Sequence, residues 1–342
     1  MQKSVARRLE AQFEEAEMQG MCVTPACRAD AQVLRRNADN GRDMGCGERG
    51  ESDSLIFPYV SPFPGLYLRR VYWSQLKRDD LALHIIRTLS IMHPEWVFCS
   101  HSAALLHGLD VSWELLDDIH VGRQRGSWTR SAHGIVRHAL SISSYETVRG
   151  VKAVSLREAI LESLCALPFE LSLGIVDSAL HQRKATPEGL EAYFEVMGRG
   201  RKGIVRARKI LRYADGRAEN GGESRARAVM IEEGYAPHEL QVSFVDPLNP
   251  SRSMRGDLGW ILEDGTICIG ELDGVEKYTD QEMTSGRDAL DVLRDERLRE
   301  SRMSAYGVRI MRFPFSYVLN RWELVYLMQV YGIPRSEIPD FC

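Results

Sequence analysis

The chain has 342 residues, more than one compact core usually takes, so its length points to two domains with room for a terminal segment. Apolar residues at 44% and charged residues at 27% are ordinary for a globular protein, and a net charge of −4 argues against one that coats nucleic acid. No run approaches the roughly 18 apolar residues that span a membrane, and no apolar stretch follows residues 1–8, so the expected setting is cytoplasmic and away from membranes. Seven scattered cysteines do not make a disulfide framework. Cys22, Cys27 and Cys46 lack the second pair or nearby histidine that a zinc site needs.

Residues 5–19 read as a helix with Leu9, Phe13 and Ala16 at helical spacing. Residues 25–37 follow as a second, behind a Thr24 cap with Pro25 in the first turn. The pair admits a degenerate helix-turn-helix. Residues 40–54 are Gly-rich and polar and offer little apolar surface against ordering entropy, so poor order is expected there. Short strands at 56–60 and 65–68 bracket a Pro-rich turn, and a helix at 79–93 carries Leu81, Ile85, Leu89 and Met92. Residues 97–109 read as a strand, a Ser cap and a short helix ended by Gly108. Strands at 119–121 and 134–138 come next, then helices at 155–166, 169–183 and 186–197.

A basic helix at 203–213 leads into the Gly- and Asn-rich tract 215–222, the expected domain boundary. Beyond it come a helix (223–233), a strand (240–245), a hairpin (254–262 with 266–272), a long helix (281–306), a strand (308–313) and a last helix (321–331). The expected fold class is α+β or α/β. It comprises segment 1–54, a mixed region at 55–214 and an αβββαβ unit within 215–342.

The hairpin carries the chemistry. Glu263-Asp264-Gly265 suits a three-residue connection with Gly in the left-handed region. Leu262 then faces Thr266, and Asp257 lies opposite Glu271 with Cβ atoms roughly 5 Å apart. Ile261, Ile267, Ile269 and Asp273 share their face, while Leu258, Trp260, Leu262, Cys268 and Leu272 take the other. Close carboxylates repel unless a cation sits between them. A hard cation bound by one or two carboxylates keeps sites for water and phosphate oxygens, which points to Mg²⁺ or Mn²⁺ on Asp257 and Glu271. Lys277 would stabilise developing charge or orient water. Two alternatives stay open: strand-end acids of no special role, and a two-residue loop that shifts the register and separates the carboxylates.

Charge is uneven upstream. Residues 199–227 hold ten Lys or Arg against three acids, and Arg206, Arg208, Lys209, Arg225 and Arg227 are the candidates for phosphate contacts with DNA. A solvated helix face is the alternative.

Gly222-Glu223-Ser224, Arg255-Gly256-Asp257, Gly270-Glu271-Leu272-Asp273-Gly274, Lys277-Tyr278, Glu296 with Arg299, and Gly307-Val308-Arg309-Ile310-Met311-Arg312-Phe313 occur in that order. Over residues 222–315 this resembles the very-short-patch-repair-like endonuclease domains, a branch of the PD-(D/E)xK nuclease fold. The resemblance implies Asp257 and Glu271 as metal-binding acids, Asp273 as their neighbour, Glu223 as a helix-borne acid and Lys277 as a basic partner. Asp273 stands where the fold's pattern wants lysine. The middle region, through Gly65-Leu66-Tyr67 and Ser100-His101-Ser102-Ala103-Ala104-Leu105-Leu106-His107-Gly108-Leu109, is similar to the AbiEi-type antitoxin or regulator family, which implies a protein partner of toxin–antitoxin or phage-defence type. His101 and His107 are read as core or capping residues. The two resemblances together imply a metal-dependent endonuclease or nickase tied to a regulatory module, or alternatively an inactive DNA-binding regulator.

Overall fold

The computed structural model describes residues 2–39, 57–123, 134–139, 145–273 and 289–338. They form a mixed α/β protein with three small mixed sheets and no barrel. The chain divides into two compact units, Met1–Glu162 and Ser163–Cys342. Among the described residues no helix is long and apolar enough to cross a membrane. Lys277 and the tract 40–54 lie outside the described residues.

In the first unit, α1 (Gln2–Met18) buries Leu9 and Phe13 against Leu34 of α2 (Arg28–Arg36), as the helical spacing requires. Strand β1 (Ala38–Asp39) runs parallel to β2 (Tyr59–Phe63), which forms a hairpin with β3 (Leu66–Arg69) around Gly65 at φ +80. Helices α3 (Arg70–Trp73) and α4 (Arg78–Met92) follow. Next come β4 (Val97–Phe98), α5 (Ser100–Leu106), β5 (Ile119–Arg123), β6 (Ile135–Ala139), β7 (Glu146–Val148) and β8 (Val151–Ala153). These strands make a five-stranded sheet in the order β6-β5-β4-β8-β7. Then α6 (Leu156–Ala166) leads into the second unit.

The second unit opens with α7 (Phe169–His181), α8 (Pro187–Met197) and α9 (Ile204–Leu211). The expected αβββαβ order follows: α10 (Gly221–Glu232), β9 (Glu239–Asp246), β10 (Asn249–Ile261), β11 (Ile267–Asp273), α11 (Ala289–Ser304) and β12 (Arg309–Pro314). Helices α12 (Phe315–Leu319) and α13 (Arg321–Val330) close it. The sheet runs β12-β11-β10-β9, with β12 parallel to β11 and the other pairs antiparallel. On one face Leu258, Trp260, Cys268 and Phe313 pack with Val229 of α10 and with Leu324 and Met328 of α13. On the other, Ile269 and Met254 pack with Met303 of α11. A sheet with helices on both faces needs both alternating sets of side chains to be apolar, and this hairpin supplies both.

The domain boundary read at 215 falls inside this unit. Helix α7 packs so closely on α10 that a Cβ on Gly174 would stand 3.5 Å from the Cα of Gly221. Arg227 of α10 pairs with Asp177 of α7 at 2.6 Å, with the side chains 7% and 1% exposed. Arg227 also donates to the Tyr213 carbonyl at 2.7 Å, and the Asp215 amide donates to Asp177 at 2.7 Å. Burial pushes the Asp177 carboxyl up, against the pull of Arg227. Removing one partner of such a pair strands the other charge in a low-dielectric interior. Arg227→Ala should therefore cost about 3–5 kcal/mol in urea denaturation, and the double change Asp177→Leu with Arg227→Met should recover most of it. Parent-like stability in Arg227→Ala would rule out a buried structural pair.

Candidate acidic site

The connection between β10 and β11 is the three-residue loop expected. Leu262 donates to the Thr266 carbonyl at 2.8 Å, Gly265 donates to the Leu262 carbonyl at 2.9 Å, and Gly265 sits at φ +83. The ladder pairs Ile261 with Ile267, Trp260 with Cys268 and Leu258 with Gly270. Asp257 and Glu271 are the next residues on their strands. The two-residue alternative is thereby excluded.

The strands do not run evenly through this point. On β10, a Cβ at Gly256 would strike Ile269 on the α11 side, yet Leu258 packs on the α10 side. On β9, Leu240 packs on the α10 side and Val242 on the α11 side. Both alternations slip at the same crossing, Gln241 opposite Asp257, where the ladder between Gly256–Val242 and Leu258–Leu240 is interrupted. Gln241 adopts φ +53, which an L-residue takes up only at a cost. Asp257 accordingly does not follow simple alternation. Its Oδ2 accepts the Leu272 amide at 3.3 Å, so the carboxylate stands in for a ladder acceptor just past the last paired residues of β10 and β11.

Glu271 points to the α11 side and is almost buried. Arg299 of α11 holds it at 2.8 Å and Arg312 of β12 at 3.0 Å. Arg312 is the residue directly across the parallel ladder from Glu271. It also faces Asp273 at 3.6 Å and Glu300 at 3.9 Å. Glu223 occupies the first turn of α10, where it completes a capping arrangement. Its amide donates to Asn220 at 3.0 Å, and its carboxylate accepts the Glu219 amide at 2.9 Å and the Asn220 side chain at 2.6 Å. Gln241 reaches the same carboxylate at 3.4 Å. The fold thus gathers Glu223, Asp257, Glu271 and Asp273 at one end of the sheet. Sequence motifs point to all four acids but to neither arginine as a site residue. The parallel register of β12 on β11 is the signal that brings Arg312 to Glu271.

The expected repulsion between bare carboxylates is therefore replaced by ion pairing. As arranged, these residues do not fit a divalent ion: Glu271 is committed to two guanidiniums and Asp257 to an amide. Among the described residues no group of three His, Cys, Asp or Glu side chains is placed to hold a metal.

The basic candidates divide. Arg225 and Arg227 are buried, the first with its guanidinium 5.7 Å from the centre of the Phe315 ring and the second on Asp177, so neither is presented to a phosphate backbone. They belong to the basic cluster along the sequence, but helix α10 turns them inward. Arg206 donates to the Cys165 carbonyl at 2.6 Å. Arg208 is exposed, with a long 3.4 Å contact to the Phe194 carbonyl, and Lys209 is half-buried.

No protein-family model matches the chain. No solved structure matches it either. It is similar to two uncharacterized proteins of Mycobacterium tuberculosis, Rv2248 of strain H37Rv and MT2308 of strain CDC 1551. Each is 34% identical over 149 residues, which cover 42% of this chain and 52% of the relative. The aligned stretch thus spans about half the length of these relatives.

The first unit holds a second cluster of chemistry. His101 of α5, His120 of β5 and His138 of β6 stack in a row. His138 Nε2 lies 2.7 Å from His120 Nδ1, and the rings of His101 and His120 are 4.0 Å apart. His107, half-buried at the C-terminal end of α5, meets the Val154 carbonyl at 2.9 Å, in keeping with a core or capping role. Burial lowers His101 to about 4, opposed by the Leu115 backbone and by Asp118 and reinforced by the His138 imidazole. Burial and the two neighbouring rings lower His120 to about 2, and burial lowers His138. An unfolded chain takes up these protons near pH 6.5, before the folded one does. Stability is therefore complete above about pH 6.5 and is lost as pH falls toward the folded values, by up to about 1.4 kcal/mol per pH unit for each histidine. Urea melts between pH 7 and 4.5 should show a shallower decline for His120→Asn than for the parent. Parallel declines would show that the cluster is not held neutral.

Proposed function

We propose that the second unit is a nuclease-type domain of the restriction-endonuclease-like fold, acting on nucleic-acid phosphodiesters, DNA first among them, with Mg²⁺ or Mn²⁺. The observation that carries this is the αβββαβ order with Glu223, Asp257, Glu271 and Asp273 brought to one end of its sheet. Each acid comes from a different turn or strand position, and the sequence motifs that place them are spread over residues 223–273. The similarity of the middle region to AbiEi-type regulators extends the proposal to a module with a toxin–antitoxin or defence partner.

A second reading has its own observation. Arg299 and Arg312 neutralise Glu271 without a metal, and Asp273 stands in the position of the fold's lysine. On that reading the domain binds DNA and does not cut it. Plasmid nicking with Mg²⁺ or Mn²⁺ separates the two. The cleavage reading expects nicking by the parent and a loss on the order of 100-fold in Glu271→Gln and in Asp257→Ala. Equal nicking by parent and Glu271→Gln would place any activity elsewhere.

DNA binding by α9 has a separate measure. Each phosphate neutralised by a basic side chain contributes about 0.9 to the slope of log affinity against log salt. Replacing Arg206, Arg208 and Lys209 with Ala should flatten that slope, with the exposed Arg208 contributing first. An unchanged slope would mean that these side chains serve the fold or the solvent only.

A further inference from the structure

We propose that the outward ridge of the α8–α9 hairpin, formed by Arg199, Lys202, Arg208 and Arg212, is a docking surface for the phosphate backbone of duplex DNA. This rests on the nucleic-acid part of the reading above. It adds Arg199, Lys202 and Arg212 to the contact and requires no metal.

Residues 196–214 hold seven Lys or Arg and no acid, in a chain whose net charge is −4. Along α9 the buried Ala207, Ile210 and Leu211 make one face, and the exposed Val205, Arg208 and Arg212 lie on the opposite one. Arg199 and Lys202, in the turn between the helices, are exposed as well. Arg199 and Arg208 bond to neutral groups, the Glu195 carbonyl at 3.2 Å and the Phe194 carbonyl at 3.4 Å. Among the described residues no carboxylate pairs with any of the four. The backbone beneath them is fixed by close packing. A Cβ on Gly203, at φ +86, would strike the Cys165 carbonyl, and one on Gly198 would strike Ile204. The four side chains therefore start from set positions, which lowers the cost of ordering them on a partner.

Local helix energetics do not account for the whole ridge. Cations favour a helix C-terminus and oppose an N-terminus. Arg199, Arg208 and Arg212 suit the ends of α8 and α9, but Lys202 stands directly before Gly203, the N-cap of α9, where a cation costs stability. Arg208 and Arg212, four residues apart on one face, also repel. A polyanion reverses both effects, and its release of counterions drives the binding. An anionic membrane would attract the same cations, but an interfacial helix has to bury an apolar face among the lipids. The apolar face of α9 is already buried in the protein, and Val205, 63% exposed, is a single apolar side chain among the ridge's cations. The charge pattern therefore favours a phosphate backbone.

The test is the salt dependence of binding by the full chain to two duplexes of unrelated sequence, followed by fluorescence anisotropy in EDTA so that cleavage plays no part. R199Q/K202Q/R208Q/R212Q should lower the slope of log affinity against log salt by about 3–4, at about 0.9 for each phosphate contact. The loss should be equal on the two duplexes, because phosphate contacts carry no sequence information. R149Q/R157Q removes two exposed arginines of the first unit and measures the effect of net charge alone, so it should leave the slope unchanged. A change per charge in R149Q/R157Q as large as in the ridge variant overturns the proposal. A parent slope that the ridge variant keeps overturns the ridge alone and leaves DNA binding to another face. No salt-dependent binding by the parent overturns the DNA reading and the ridge together, while the nicking assay judges the acidic centre separately. Binding to phosphatidylserine vesicles that falls in V205S, without salt-dependent DNA binding, assigns the ridge to a lipid surface and also overturns the proposal. Melting curves verify that each variant folds. If the fourfold variant does not fold, R199Q/K202Q and R208Q/R212Q take its place, and each should lower the slope by about 1.8.

Discussion

The pairing of β10 with β11 sets the rest of the second unit. Its register is fixed by one glycine at φ +83 and two backbone bonds across the loop, and a shift by one residue would send every side chain of one strand to the opposite face. In the observed register Trp260 and Cys268 lie together under α10 and α13, and Ile269 lies under α11. The same register makes Asp257 and Glu271 successive to the last pair of the ladder. Core and acidic centre are two consequences of one pairing. A Cβ on Gly270 would come within 2.8 Å of the Trp260 ring, so the residue just before Glu271 is glycine for the sake of that ring.

Much of this is legible in the amino-acid sequence. The periodicities place the described helices and strands of residues 203–313 in the right order, because the hairpin strands carry apolar residues in both alternating sets and the helices around them bury apolar residues. The hairpin loop chemistry places Asp257 against Glu271. The slip at Gln241 and Asp257 is not legible, since it depends on φ +53 at a residue type that gives no such signal. Nor are the arginines on Glu271, because parallel pairing joins segments separated by a long crossover and no local pattern sets its register. Short elements such as β1 and α3 escape for a simpler reason: two to four residues hold too little periodicity to read.

Clustered basic charge is the weakest guide. Arg206, Arg208, Lys209, Arg225 and Arg227 look alike along the sequence, yet helical geometry separates them by exposure. On α10 the apolar Ala226, Val229 and Met230 face the sheet, and with α7 packed alongside, Arg225 and Arg227 are enclosed. Their charge is answered inside the protein, by an aromatic face in one case and by Asp177 in the other. An electrostatic footprint has to be counted on the surface, and here the surface share of the cluster lies on α9.

The Leu272 amide is bonded to a side chain where a strand would ordinarily offer a carbonyl. A carbonyl acceptor is indifferent to ionic conditions, but a carboxylate acceptor weakens when it gains a proton. Hydrogen exchange at that single amide therefore follows the state of Asp257, while its neighbours on β11, bonded to β12 through the parallel ladder, follow only the opening of the sheet. One main-chain proton thus carries a local record of the state of a single carboxylate.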